Sequence, residues 1–347
     1  MRPRAVAVVP LLLLLLVACA SAGTEPLPGR PPHHTAGGFR NLDPEFARPS
    51  GWTRWSFIAR RMWESLTSPR AFEAPRVAND GAALRAVPPP RSITWVGHAT
   101  LLVQVDGLSV LTDPNWSARA GPTSWIGARR LNAPGLAFEA LPRIDVVTIS
   151  HDHYDHLDRP TVKRLAAAHD PLFVVPLGLK AWFEDNGMPR VVELDWWQEQ
   201  EHRGVRFVCT PAQHFSQRAL WDGNRRLWAT WAVLGRERRF YHGGDTGYFA
   251  GFKEIGRRLG PFDVAALPIG AYLPPAIMKW VHTTPEQAVE AFVDLDARTL
   301  LGIHWGTFDL ADEPLDEPPA RMLADIARRG IDPSRAWILK VGETRTW

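Results

Sequence analysis

"SHDHYDHLD", Ser150 to Asp158, places three histidines and three aspartates within nine residues. Carboxylates repel one another, so a cluster this dense calls for a positive charge among them, and a multivalent cation supplies it. The spacing is His151-x-His153-x-Asp155-His156. Two histidines two apart can face one cation, while Asp155 and His156 turn toward a second. Neutral imidazole and carboxylate suit zinc and related borderline metals.

The missing ligands come from distant segments, each following an apolar, strand-like run. Asp113 ends "LSVLTD", His214 follows "FVCTPAQ", Asp245 follows "FYHGG" and His304 follows "LLGI". Polar groups gathered at strand ends are what a fold-supported site requires. His214 completes the first pair, His304 completes the second, and Asp245 is suited to bridge both cations. Two divalent ions carry four positive charges, which two aspartates and a hydroxide largely offset. Asp113 is expected to support a ligand, because a ligating imidazole usually donates its other N–H to a carboxylate, carbonyl or water. His98, in "WVGHAT", stands open between core hydrogen bonding and support of the site. His169, His202 and His242 are expected at the surface or behind the ligands, and His33 and His34 in solvent.

From Ser92 onward, short apolar runs separated by turn signals read as strands. "ATLLVQV", Asp106-Gly107 and "LSVLTD" form a hairpin. "RPTVKRLAAA", "GYFAGFKEIGRRLG" and "EPPARMLADIARRG" read as helices, as does "TPEQAVEAFVDL", with Thr284 at its N-cap, Pro285 at N1 and Gln287 at N3. Strands outnumber helices and hairpins mix with crossovers. An α/β fold of helices covering a pair of packed sheets follows.

The N-terminus reads as a targeting segment: Arg2 and Arg4, an apolar run from Val6 to Val17, then Ala18-Cys19. It resembles the lipobox of bacterial lipoproteins, in which the cysteine is lipidated. Residues 1–18 are therefore expected to be a signal peptide. Residues 19–90 are expected to form a tether and extension carrying an amphipathic helix over Trp52–Leu66, and residues 91–347 the main domain. That helix either packs its apolar stripe (Trp52, Trp55, Met62, Trp63) on the domain or lays it on a membrane surface. Anchoring through Cys19 places the protein in a bacterial cell envelope, at the outer membrane or periplasmic face. The other cysteine, Cys209, falls on a strand. A net charge of +3 without a long basic block is too weak to argue for nucleic acid, and no nucleic-acid partner is expected. The oligomeric state is not fixed by the sequence.

HxHxDH followed by separate His, Asp and His resembles the metallo-β-lactamase superfamily. The set "WVGHAT", "LTDP", "SHDHYDHLD", "GGDTGY", "LPIGAY", "MKWVHTTPEQAV" and "IHWGTF" is similar to N-acylphosphatidylethanolamine-hydrolysing phospholipases D and their bacterial relatives. The resemblance implies an αββα sandwich with an N-terminal extension. It implies two Zn2+, one on His151, His153 and His214, the other on Asp155, His156 and His304, with Asp245 bridging. It also implies a phospholipid substrate and places His282 near the reaction centre. Asp245, His282 and Asp113 are the residues expected to serve catalysis. The activity implied is metal-assisted phosphodiester hydrolysis. A metal-dependent lactonase or other carbonyl hydrolase, and a lipid-binding envelope lipoprotein with a structural metal, are the alternatives.

Overall fold

The computed structural model describes residues 25–47, 49–86 and 91–347; Cys19 and the targeting segment lie outside the described residues. Fourteen strands build two seven-stranded sheets. The first six are β1 (Ser92–Gly97), β2 (Thr100–Val105), β3 (Leu108–Thr112), β4 (Val146–Thr148), β5 (Leu172–Pro176) and β6 (Val191–Leu194). They lie side by side in chain order, β6-β5-β4-β3-β2-β1, and the last strand, β14 (Thr344–Thr346), pairs with β1. The second sheet runs in order through β7 (Glu199–His202), β8 (Val205–Thr210), β9 (Thr230–Leu234), β10 (Arg239–His242), β11 (Phe262–Pro268), β12 (Ala297–Ile303) and β13 (Ala336–Trp337). In each sheet, antiparallel hairpins occupy one half and parallel strands joined by helical crossovers the other. The β2–β3 hairpin turns at Asp106-Gly107, both at positive φ, as its sequence requires.

Side-chain alternation explains the layering. Along β2, Leu101, Val103 and Val105 enter the core between the sheets, while Leu102 joins a second core on the outer face. There helix α2 (Arg159–His169) contributes Val162 and Leu165, and the short α3 (Lys180–Asp185) contributes Phe183. The second sheet is covered by α4 (Gly251–Leu259), α6 (Pro285–Asp294) and α7 (Glu317–Arg328) through Phe252, Ile255, Val289, Phe292, Met322 and Ile326. The capping box on α6 forms as expected from Thr284 and Gln287. The result is the expected αββα sandwich.

The extension departs from expectation. Residues 25–47 are packed, not loose: the strap makes a small hairpin (His34–Thr35 with Gly38–Phe39), and His33 and Asn41 are buried. His33 and His34 therefore do not stand in solvent; both reach Asp195. Helix α1 (Gly51–Thr67) forms where the periodicity places it, capped by Ser50. It docks through its polar side. Arg60 donates to Asp312 at 2.6 Å, Arg61 pairs with Asp309, and Phe57 packs against the cluster of Ala271, Met278 and Ala311. The apolar stripe faces outward: Trp52 is 81% exposed and Trp63 67%. Among the described residues, no helix is long and apolar enough to cross a membrane.

Candidate metal centre

Every residue of the expected ligand set lies just beyond a strand, at one end of the sandwich. β4 runs through Ile149 and Ser150 into His151, and the motif occupies the loop before α2. His214 follows β8, Asp245 follows β10 and His304 follows β12 directly. The first sheet thus supplies the HxHxDH loop and the second supplies the rest. The strand ends are bent to deliver them: His98, Asp113 and His304 all hold positive φ, an uncommon conformation for such side chains that clusters at functional sites. Gly244 also has positive φ, and a Cβ there would collide with Ser150, so the glycine lets Asp245 approach the loop.

Two groups of ligand atoms result. His151 Nε2 lies 2.8 Å from His153 Nδ1, and His214 Nε2 lies 3.2 Å from the same atom. In the second group, Asp155 Oδ2 lies 3.4 Å from His156 Nε2 and 3.6 Å from His304 Nε2. Asp245 joins them. Its Oδ2 is 3.8 Å from both His151 and His214 Nε2 and 3.1 Å from His156 Nε2, while its Oδ1 is 2.9 Å from His304 Nε2. His156 Nε2, His304 Nε2 and Asp245 Oδ1 are buried without a hydrogen-bond partner. Buried polar atoms are rarely left unpaired, so these orphans, converging from different strands, fit a pair of divalent cations.

The surrounding shell sets the tautomers. His156 Nδ1 donates to Asp113 Oδ2 at 2.7 Å, leaving Nε2 free to ligate. Ser150 anchors the same carboxylate, its N–H donating to Oδ1 at 2.7 Å and its hydroxyl to Oδ2 at 2.6 Å. His214 Nδ1 donates to the Val281 carbonyl at 2.8 Å. The strap holds the His214 backbone from both sides: Asn41 Nδ2 donates to its carbonyl, and its N–H donates to Asn41 Oδ1. Asp113 is fully buried and stands behind His156, so it positions a ligand and does not face the reacting space. The other two aspartates of the opening stretch turn away. Asp152 pairs with Arg226 at 2.9 Å and Asp158 accepts from Ser117.

His98 belongs with the second group, its Nε2 2.9 Å from Asp155 Oδ2. His282, on the connection between α5 (Pro275–Met278) and α6, brings Nδ1 to 3.9 Å from Asp245 Oδ2. His242 is buried and donates to the Ala99 carbonyl, while His169 and His202 stay at the periphery. Asn41 and Ser150 were not legible as site residues: an amide in the extension carries no chemical signature, and the serine is masked by the histidines beside it.

Electrostatics divide the two groups. Burial, reinforced by neighbouring imidazoles, pushes His151 well below the usual imidazole range. Burial also depresses His214 and His153, despite nearby carboxylates, so this trio is neutral and ready to ligate. At His304, burial is outweighed by Asp245 and Asp155, which raise it to about 9. His156 is held high against burial by Asp245, Asp155 and Asp113. A cation at the second group must therefore displace protons. Asp245 and Asp155 stay ionised against burial because imidazoles surround them.

A family model described as the beta-lactamase superfamily domain matches residues 109–305. An uncharacterised protein of Mycobacterium tuberculosis is 42% identical over 305 residues, 84% of this chain and 79% of its own. The N-acyl-phosphatidylethanolamine-hydrolyzing phospholipase D 1 of Caenorhabditis elegans is 46% identical over 228 residues, covering 62% of this chain and 64% of that one. Among solved structures, a possible metal-dependent hydrolase from Veillonella parvula shares the fold, with a TM-score of 0.60 at 16% identity over 74% of this chain and 100% of that one. With the αββα sandwich and the paired His/Asp groups at its strand ends, the chain belongs to the metallo-β-lactamase superfamily of metal-dependent hydrolases.

Proposed function

We propose that the protein is a zinc-dependent phosphodiesterase of the phospholipase D type, cleaving N-acylphosphatidylethanolamine-like lipids to phosphatidic acid and N-acylethanolamine. The observation that carries this is Asp245, whose two oxygens reach both ligand groups and suit it to bridge two cations. Cations held by His151, His153 and His214 and by Asp155, His156 and His304 would supply an activated water and Lewis acidity toward a phosphodiester. The chain's residues do the rest. Asp113 and the Val281 carbonyl fix the tautomers of His156 and His214. Burial lowers His282 to about 4, so it is neutral at physiological pH and offers a hydrogen bond beside Asp245. Water adds to phosphorus, the bond from phosphorus to the ethanolamine oxygen breaks, and that oxygen takes up a proton.

A lipid substrate agrees with the outward tryptophans of α1. The inward side of this helix packs Phe57 against the cluster that includes Met278 of α5, the element that leads toward His282, while its tryptophans face outward. Acylation at Cys19, outside the described residues, would hold the same face near a bilayer of the cell envelope. The 46% identity to a worm phospholipase D of that name supports the substrate class. The test is turnover of a defined lipid panel by zinc-loaded protein in water enriched in heavy oxygen. Label in the phosphate of phosphatidic acid is the expected result. Label in a free fatty acid would show carbonyl attack, and turnover of a lactone alone would overturn the lipid assignment.

A further inference from the structure

Away from the dinuclear centre, the fold gathers His33, His34 and Asp195. Asp195 lies on the turn that carries the chain from β6 in the first sheet to β7 in the second. The two histidines enter the small hairpin of the N-terminal strap. His33 Nε2 is 2.6 Å from Asp195 Oδ1, and His34 Nε2 is 2.7 Å from Oδ2. We propose that these three side chains form a third metal site, taking a divalent cation of the zinc class, with water in the remaining position.

The donor set is two imidazoles and one carboxylate, the set that zinc sites with an open position use. All three donor atoms lie within 4.8 Å of one another. Adjacent histidines rarely aim at one point, yet here the rings stand 4.5 Å apart at 64° and both Nε2 atoms converge on one carboxylate. The spacing also resembles the recognised centre, where neighbouring ligand atoms approach to 2.8 and 2.9 Å. An ion held at about 2.0–2.2 Å from each donor in a tetrahedron sets the donors about 3.3–3.5 Å apart, so these must part by roughly 0.6–0.9 Å. His34, the most exposed side of the trio with Asp195 at 13%, has room to give. Ion binding requires each Nε2 to give up its proton and present its lone pair.

The shell around the trio is built in the manner of a ligand shell. The Trp196 N–H donates to Asp195 Oδ1 at 2.8 Å, fixing the carboxylate. The Trp196 ring stacks on His33 with centroids 4.2 Å apart, and Phe39 stands edge-on to His34 at 5.1 Å. The site would clip the strap to the turn between the two sheets. The strap's Asn41 holds the backbone of His214, so an ion here would secure the segment that seats a ligand of the catalytic centre.

The test is metal stoichiometry of the full chain. Protein equilibrated with zinc, then desalted, is analysed for metal alongside His34→Ala and Asp195→Asn. Three zinc ions per chain in the wild type and two in each variant are expected. Cobalt-loaded protein gives an independent readout: the visible spectrum of the wild type minus that of His34→Ala should show one additional low-symmetry cobalt site. Asp195→Asn keeps an acceptor for the Trp196 N–H, and circular dichroism checks that both variants are folded. Two zinc ions in the wild type at saturating zinc, or three in both folded variants, would overturn the assignment.

Discussion

Replacing Asp113 by Asn isolates one carboxylate that never reaches a cation. The native side chain is an acceptor only, and it takes the Nδ1 proton of His156 at 2.7 Å. That forces the lone pair of His156 onto Nε2, where the second ligand group needs it. In the amide, one oxygen becomes an NH2. Ser150 N–H keeps the remaining oxygen, 2.7 Å away in the native pairing, and the Ser150 hydroxyl can rotate to accept. His156 Nδ1 cannot: facing a donor, it must itself become an acceptor, and the proton moves to Nε2. Partners of ligating histidines typically change affinity about 10–100-fold, equivalent to roughly 1.4–2.7 kcal/mol. The expected outcome is one zinc ion weakened by that factor in competition with a chromophoric chelator, and the other, on His151, His153 and His214, nearly unchanged. Asp113→Ala strands two buried N–H donors and should also destabilise the fold by roughly 2–4 kcal/mol in urea titration. Unchanged affinity at both sites in Asp113→Asn would refute the tautomer logic.

Asp245→Asn weakens the bridge between both groups and should remove most turnover; near wild-type rates with two ions bound would show that Asp245 is not the bridge. Changing Trp52, Trp55 and Trp63 to serine should reduce binding to phospholipid vesicles by about tenfold per tryptophan if each contributes about 1.4 kcal/mol, while hydrolysis of a detergent-dispersed substrate persists. Cys19→Ser should release the protein from membranes in fractionation; a variant still wholly bound would transfer anchoring to α1. In metal-free protein, His304 titrates near 9, above its ordinary value of 6.5. Its contribution to stability is therefore complete below pH 6.5 and lost as pH rises through about 9. His282, lowered to about 4, acts in the opposite direction and costs stability as pH falls below 6.5. Urea midpoints of the metal-free protein should thus peak near pH 6.5 and decline on either side; a midpoint still rising at pH 9 would contradict this.

Most strands were legible because their faces are buried and their residues alternate or run apolar. β7, "EQEH", was not: it is an edge strand, where charged residues discourage pairing with other chains and erase the apolar signal. "AWILKVGE" reads as one strand yet yields only Ala336–Trp337 before the chain leaves for the other sheet. The ligand set was visible because metal binding demands rare residue types at fixed spacing. The orientation of α1 was not, since a tryptophan stripe has the same period whether it faces protein or lipid. The salt bridges from Arg60 and Arg61 to Asp312 and Asp309, with Phe57 packed beside them, turn the polar side inward. The burial of His33 and the pairing of His34 were hidden for a similar reason, because their partner Asp195 is far away in sequence.

The division of ligands between the two sheets also has a consequence in time. The HxHxDH loop is made while the second sheet does not yet exist, and His304 is added only once β12 has been made. Until then, a cation captured by His151 and His153, or by Asp155 and His156, sits in a half-built chelate that other chelators can strip. Maturation is therefore a single late event: closing the sandwich and completing the cage are the same step, so a chain stalled or truncated before β12 should emerge both metal-poor and unfolded.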